Sequence, residues 1–281
     1  SASKIEHNKV KKTVNYENAL LKIYDVPVLY FPKFFHPDPT VKRQSGFLVP
    51  TFSQSNNLGN YISIPYFNAI SNSSDLTFTP RFYDKGKTIY QTEYRKHNKN
   101  SKHMLDFSIK NKSIQIFDDN KKKSSTHFFS KSSFDLDLDN NFTGELDIKV
   151  QQTSDDDYLK TYKLKSPLIE SESNLNTSVN FNLYNDDLSV KITSETYENL
   201  SLPDSDRYEF IYPSINIIKE FDYFDNGSFS LSSAILNKQY QTNIKESTIT
   251  NDLNYKSYDK ISSIGLLSSY EVLIKNFNSA R

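Results

Sequence analysis

An all-β chain folded as an antiparallel up-and-down meander is what this sequence predicts, and three observations carry the prediction. Apolar and polar residues alternate with period two along most of the chain after Gly46, the pattern of strands with one oily and one wet face. Turn-forming clusters of Asn, Asp and Gly recur between those stretches, where they supply local hydrogen bonds and positive φ. The apolar surface is carried by rings and β-branched side chains, with Tyr 19 and Phe 20 against Met 1 and Trp 0 in 281 residues. That bias suits pleated strands over helices.

The opening SASKIEHNKVKK is polar and holds no signal-peptide core. The chain starts without Met and stops at NFNSAR with no capping motif, which points to an excised segment; if the protein is exported, its leader lies elsewhere. ALLKIYDVPVLYFP reads as one or two strands of a separate unit, and HPDPTVK, from His36 to Lys42, interrupts the pattern with two prolines and marks a boundary. Beyond it, LTFTPRF sets Leu76, Phe78 and Phe82 on one face. FDLDLD sets Phe134, Leu136 and Leu138 against Asp135, Asp137 and Asp139. ELDIKV sets Leu146, Ile148 and Val150 against Glu145, Asp147 and Lys149, and VNFNL and LSVKI repeat the arrangement. Turn signals stand at Asn57-Leu58-Gly59, Asp84-Lys85-Gly86, Asp118-Asp119-Asn120, Asp139-Asn140-Asn141, Asn185-Asp186-Asp187 and Asp225-Asn226-Gly227. About a dozen strands of roughly nine to eleven residues result, the length that crosses a bilayer when tilted. No segment carries a sustained helical period.

Composition removes several classes of function. A formal net charge of +0 gives no electrostatic case for nucleic acid or for an anionic lipid surface. Cys 0 excludes a disulfide or thiolate metal site within the chain. His7, His36, His97, His103 and His127 lack ligand spacing and are expected on the surface or in a lumen. Asp155-Asp156-Asp157 and Lys121-Lys122-Lys123 read as solvated loops. Phosphate-loop, zinc-protease and nucleophile-elbow motifs are missing, so neither enzyme activity nor a cofactor is expected.

Alternation alone does not separate a soluble sandwich, whose oily face packs inward, from an outer-membrane barrel, whose oily face meets lipid. Pattern frequency favours the sandwich. The number of strands, their hairpin succession and the Tyr and Phe near strand ends favour the barrel, while Trp 0 counts against an aromatic girdle.

From Ile23 to Arg95 the pieces VPVLYFP, HPDPTVKRQSGFLVP, SNNLGNYISIPYF, DLTFTPRFY and EYR follow in an order that resembles the LptD (OstA/Imp) family of lipopolysaccharide-assembly proteins. The likeness is dense from Asn18 to Arg95 and returns in DDDYLKTYKL, LSVKITSETYENL and YEFIYPSI. There the family has a strand with a DxxYLxxY-like element, a strand ending near YENL and a proline-bearing strand. The resemblance implies that residues 1–41 are the end of a periplasmic β-jellyroll and its linker. Residues 42–281 become the N-terminal portion of an outer-membrane β-barrel of about two dozen strands. It implies lipopolysaccharide as cargo, an LptE-like plug lipoprotein and a periplasmic LptA-like bridge protein as partners, outer-membrane lipid around the barrel, and exit through a lateral gate between the first and last strands. Pro50 in GFLVP and Pro65 in ISIPYF match the family's prolines in the first two barrel strands. Each lacks a backbone N–H and so removes a ladder hydrogen bond. Asp135, Asp137, Glu145, Asp147 and Lys149 are then expected to line the lumen. A porin-like channel and a soluble β-sandwich module for glycans stand as the alternatives. Taken alone, such a segment is expected to form a curved open sheet with unpaired edges.

Overall fold

The computed structural model describes the chain apart from residues 11, 24, 42, 56–57, 85, 112–123, 139–140, 204–205, 225 and 242. The basic run Lys121-Lys122-Lys123, the Asp118-Asp119-Asn120 turn, the expected barrel start at Lys42 and the turn positions Asn57, Lys85, Asp139, Asn140 and Asp225 therefore lie outside the described residues.

Strands β1 (Lys4–Asn8), β2 (Thr13–Ile23) and β3 (Val26–Pro37) form an antiparallel sheet of their own. After residues 38–45 the second sheet begins with β4 (Gly46–Phe47), β5 (Thr51–Ser55), β6 (Gly59–Ser63), β7 (Tyr66–Ser71), β8 (Ser74–Tyr83), β9 (Thr88–His97) and β10 (Ser101–Asn111). It continues through β11 (Ser125–Asp137), β12 (Thr143–Thr153), the short helix α1 (Tyr158–Tyr162), β13 (Asn174–Tyr184), β14 (Leu188–Asn199) and β15 (Tyr208–Phe224). β16 (Gly227–Tyr240), β17 (Ile244–Ser257) and β20 (Glu271–Ala280) complete it, while β18 (Lys260–Ile261) and β19 (Leu267–Ser268) pair with each other as a small separate hairpin in the β17–β20 connection. Fifteen of these segments make one sheet; β4 with β5, and β6 with β7, are halves of two interrupted passes, leaving thirteen passes. Every neighbour along the sheet is antiparallel and sequential, as the meander predicts.

Short polar turns close one end of this sheet. Asn185 Oδ1 accepts hydrogen bonds from the Asp187 and Leu188 amides at 3.1 and 2.7 Å, and Asn98 N–H donates to the Ser101 carbonyl at 2.7 Å. The opposite end carries the connections 154–173 and 200–207. The linker from the first sheet enters at the short-turn end, where Gly46 faces Phe67 and Ser74 opens β8. The β17–β20 connection, with its small hairpin, is the one long link at that end among the described residues. Some passes exceed the expected length: β15 spans 17 residues and β16 and β17 span 14 each. Pro213, which cannot donate to a ladder, sits at a register shift between Ile211 and Ser214, so the long strand continues through a bulge.

The sheet is a single open layer. Among the described residues, β20 pairs only with β17 and β5 only with β6. Phe134 faces Leu146 across β11 and β12, yet neither these two nor Leu136 and Ile148 are buried. A sandwich would hide them against a second sheet, and that alternative fails here. Burial occurs instead on the polar face, where the β12–β13 connection folds back over β8–β11.

Candidate functional site

The first two passes break at facing points. Pro50 lies between β4 and β5, and Pro65 between β6 and β7. Short ladders hold either side, Gly46↔Phe67 and Phe47↔Tyr66 below, Thr51↔Ser63 to Ser55↔Gly59 above. Across the break, Leu48 N–H donates to the Pro65 carbonyl at 2.8 Å and Ile64 N–H to the Pro80 carbonyl at 3.2 Å. Amide and carbonyl of one strand residue point the same way, so Pro65 and Pro80 accept a bond on these edges and return none. Pro80, inside β8, extends the line of missing donors to a third strand.

Below the break the linker is stitched to the sheet. Arg43 donates to the Asn72 carbonyl at 2.7 Å and to the Asp75 carboxylate. Arg95 Nε donates to the other Asp75 oxygen at 2.8 Å. Asp75 therefore ties the linker, β8 and β9 together.

The five charged residues singled out from sequence share the polar face. Asp135 opposes Glu145, and Asp137 opposes Thr143, across β11 and β12; Lys131 opposes Lys149, and Ser133 opposes Asp147. Ser133 Oγ donates to Asp147, and Tyr184 Oη donates to Glu145 at 3.4 Å. Lys149 Nζ reaches Glu170 of the folded-back connection at 2.7 Å.

That connection carries the largest buried cluster among the described residues. Tyr158, Leu159, Tyr162, Leu164 and Leu168 pack onto Tyr83, Ile89 and Phe129. Beneath them, Asp106 is fully buried and accepts from Gln91 Nε2 at 3.1 Å on both oxygens; His127 Nε2 lies 3.2 Å away. His127 Nδ1 sits 2.6 Å from Ser108 Oγ, which sits 2.7 Å from Tyr158 Oη. Three donations to loop carbonyls complete the docking: Arg81 Nη1 to Tyr162 at 2.9 Å, Gln91 to Lys165 at 3.2 Å and Gln151 to Leu168 at 2.8 Å. Arg207 grips Asp156 with both nitrogens at 2.9 and 2.6 Å. That bidentate contact, foremost, raises the Arg207 pKa further. Burial pushes the Tyr158 hydroxyl up to about 12. Serine, histidine and aspartate are the types of a nucleophilic triad, but here the serine is engaged by Tyr158 and all three are covered. The arrangement fastens a loop.

A family model described as LptD protein matches residues 14–217. This chain belongs to the LptD family. Relatives named LPS-assembly protein LptD include one from Shewanella sp. (strain MR-4), 39% identical over 94 residues, covering 34% of this chain and 12% of the relative. Those from Pseudoalteromonas translucida (strain TAC 125) and Sodalis glossinidius (strain morsitans) are 42% and 33% identical over 78 and 105 residues. They cover 28% and 37% of this chain and 10% and 13% of the relatives. The aligned stretch is thus a small part of each relative's length.

Two readings from sequence need correction. DDDYLKTYKL, expected as a family strand, forms α1 and its flanks in the folded-back connection, because Tyr158, Leu159 and Tyr162 fall on one side of a helical turn. His127, expected on a surface or in a lumen, is 1% exposed beneath that connection. The signal was present as broken parity: Ile89 and Phe129 are the apolar members of faces otherwise set by Gln91 and Glu93, and by His127 and Lys131.

Proposed function

We propose that this segment belongs to an outer-membrane translocon that receives lipopolysaccharide from a periplasmic bridge and places it in the outer leaflet through a lateral gate. Residues 1–41 serve as the end of the periplasmic jellyroll and its linker, and residues 42–281 as the first part of the barrel. The observation that carries this reading is the facing pair of breaks at Pro50 and Pro65. A lipid with wet sugars and oily chains needs a wall that parts, and a ladder with missing donors parts at low cost. The entry of the linker at the short-turn end supports an orientation with that end in the periplasm and the longer connections outside, as in barrels generally. On this orientation Asp135, Asp137, Glu145, Asp147 and Lys149 line a wet lumen that suits polysaccharide, while Phe134, Leu136, Leu146 and Ile148 meet hydrocarbon. An LptE-like lipoprotein fills the lumen and an LptA-like protein docks on the first sheet.

In cells whose full-length protein carries this segment, Pro50→Ala with Pro65→Ala is expected to lower the arrival of lipopolysaccharide at the surface. Unchanged export at normal protein levels would falsify the gate.

A further inference from the structure

Among the described residues, the backbone of the upper hairpin of the first two passes, 51–63, meets the rest of the sheet along two lines, while its Leu58 and Tyr61 side chains pack against the buried cluster. One is the proline line below it, where Leu48 and Ile64 each donate a bond that is not returned. The other is β8 and its turn. There Tyr61, Ile62 and Ser63 pair with Tyr83, Phe82 and Arg81, and Asn60 and Asp84 exchange two bonds at 2.9 Å. The residues that hold this second line also hold the folded-back connection. The Arg81 guanidinium carbon lies 4.8 Å from the Tyr61 ring centroid, while Arg81 Nη1 donates to the Tyr162 carbonyl. The Tyr83 ring is 5.1 Å from Tyr61 and 6.0 Å from Tyr162. Arg81 is 6% exposed.

We infer that the connection 154–173 and the hairpin 51–63 are coupled through Arg81 and Tyr83, so that the docked connection holds the hairpin shut and its withdrawal frees the hairpin to swing on the proline line. Covering Arg81 strips its water and strengthens its attraction to the Tyr61 ring. When the connection lifts, the guanidinium rehydrates and that attraction falls, while Tyr83 loses one of its two ring neighbours. Coupling is reciprocal, so a displaced hairpin loosens the connection too. This inference rests on the gate reading for its biological sense, since it makes Arg81 a positioning residue for the gate. The coupling itself is physical and separately measurable.

The test is hydrogen exchange read by mass spectrometry on the full-length protein in lipid nanodiscs. Replacing residues 156–170 by a short Gly/Ser turn is expected to raise exchange in 51–63 about fivefold or more, the lower range of couplings between sites, and to leave 227–257 unchanged. Tyr158→Phe, which cuts the bond to Ser108 without touching the hairpin, acts in the same direction with a smaller rise and stands in if the replacement disturbs 227–257. In the Arg81→Lys background the replacement adds little further exchange, because the shared contact is already weakened. Wild-type exchange in 51–63 despite removal of the connection overturns the coupling. Unchanged export in the double proline variant, with coupling intact, overturns the gate and leaves the coupling standing.

Discussion

The two sides of the large sheet obey different rules. β16 and β17 pair without a break from Gly227↔Ser257 to Tyr240↔Ile244, whereas the first two passes are held by short ladders parted at Pro50 and Pro65. Both sides alternate apolar and polar residues, so hydrophobic pattern does not distinguish them. Backbone donors do. A net ladder bond contributes about 1 kcal/mol, little against whole-barrel stability but decisive for where local opening begins. The weak side is also the side that carries the folded-back connection, so the region least held by its backbone is the one most held by side chains.

That contrast can be broken or sharpened. The largest effect is expected from Leu159→Ala, because Leu159 is 1% exposed in the cluster and such truncations cost about 2–5 kcal/mol. Protease cleavage within 154–173 should rise while β16 and β17 stay protected; equal loosening of both would erase the contrast. Gly59→Ala comes next. Gly59 has φ +82° and an added Cβ would lie 2.0 Å from Asp84 Oδ1, so strain of about 1–3 kcal/mol should speed exchange in 51–63 most, with a smaller rise in 154–173 and none in β16 and β17. Pro65→Ala restores a donor opposite Leu48 and is expected to slow exchange around residues 48 and 65 by a few-fold, about 1 kcal/mol, partly offset by a freer unfolded chain. Slower exchange at β16 instead would contradict the proline account.

The smallest effect under ordinary conditions is that of pH. Tyr158 has a folded pKa of about 12 against the ordinary 10.0 because burial disfavours the phenolate. A raised folded pKa means the connection's docking is fully present below pH 10 and is lost as pH climbs toward about 12. Tyrosinate absorbance followed alongside cleavage in 154–173 should show both changes in that window, and Tyr158→Phe should remove this contribution.

Most strands were legible because each face keeps one chemistry for its full length, as FDLDLD and ELDIKV do. Pro50 and Pro65 stand out in the sequence through the family resemblance alone, since a proline in a strand otherwise reads as a bend at an edge. The folded-back connection was not legible. Its helix is a single turn, too short for a periodic signal, and Asp106, Ser108 and His127 look like any polar stripe until a second segment covers them. What betrays them is long-range: Ile89, Phe129 and Tyr158 need one another across residues that no local window spans. Pro80 carries no local signal for a similar reason, since its role depends on Ile64 standing opposite.

The knot of Arg43, Asp75 and Arg95 sets the length of a leash. From the end of β3 at Pro37 to the pinned Arg43 there are six residue steps, which fully stretched reach about 21 Å. Whatever tilting the N-terminal sheet undergoes, its pull arrives at the β7–β8 hairpin within that distance, on the strand pair that begins just below the proline line.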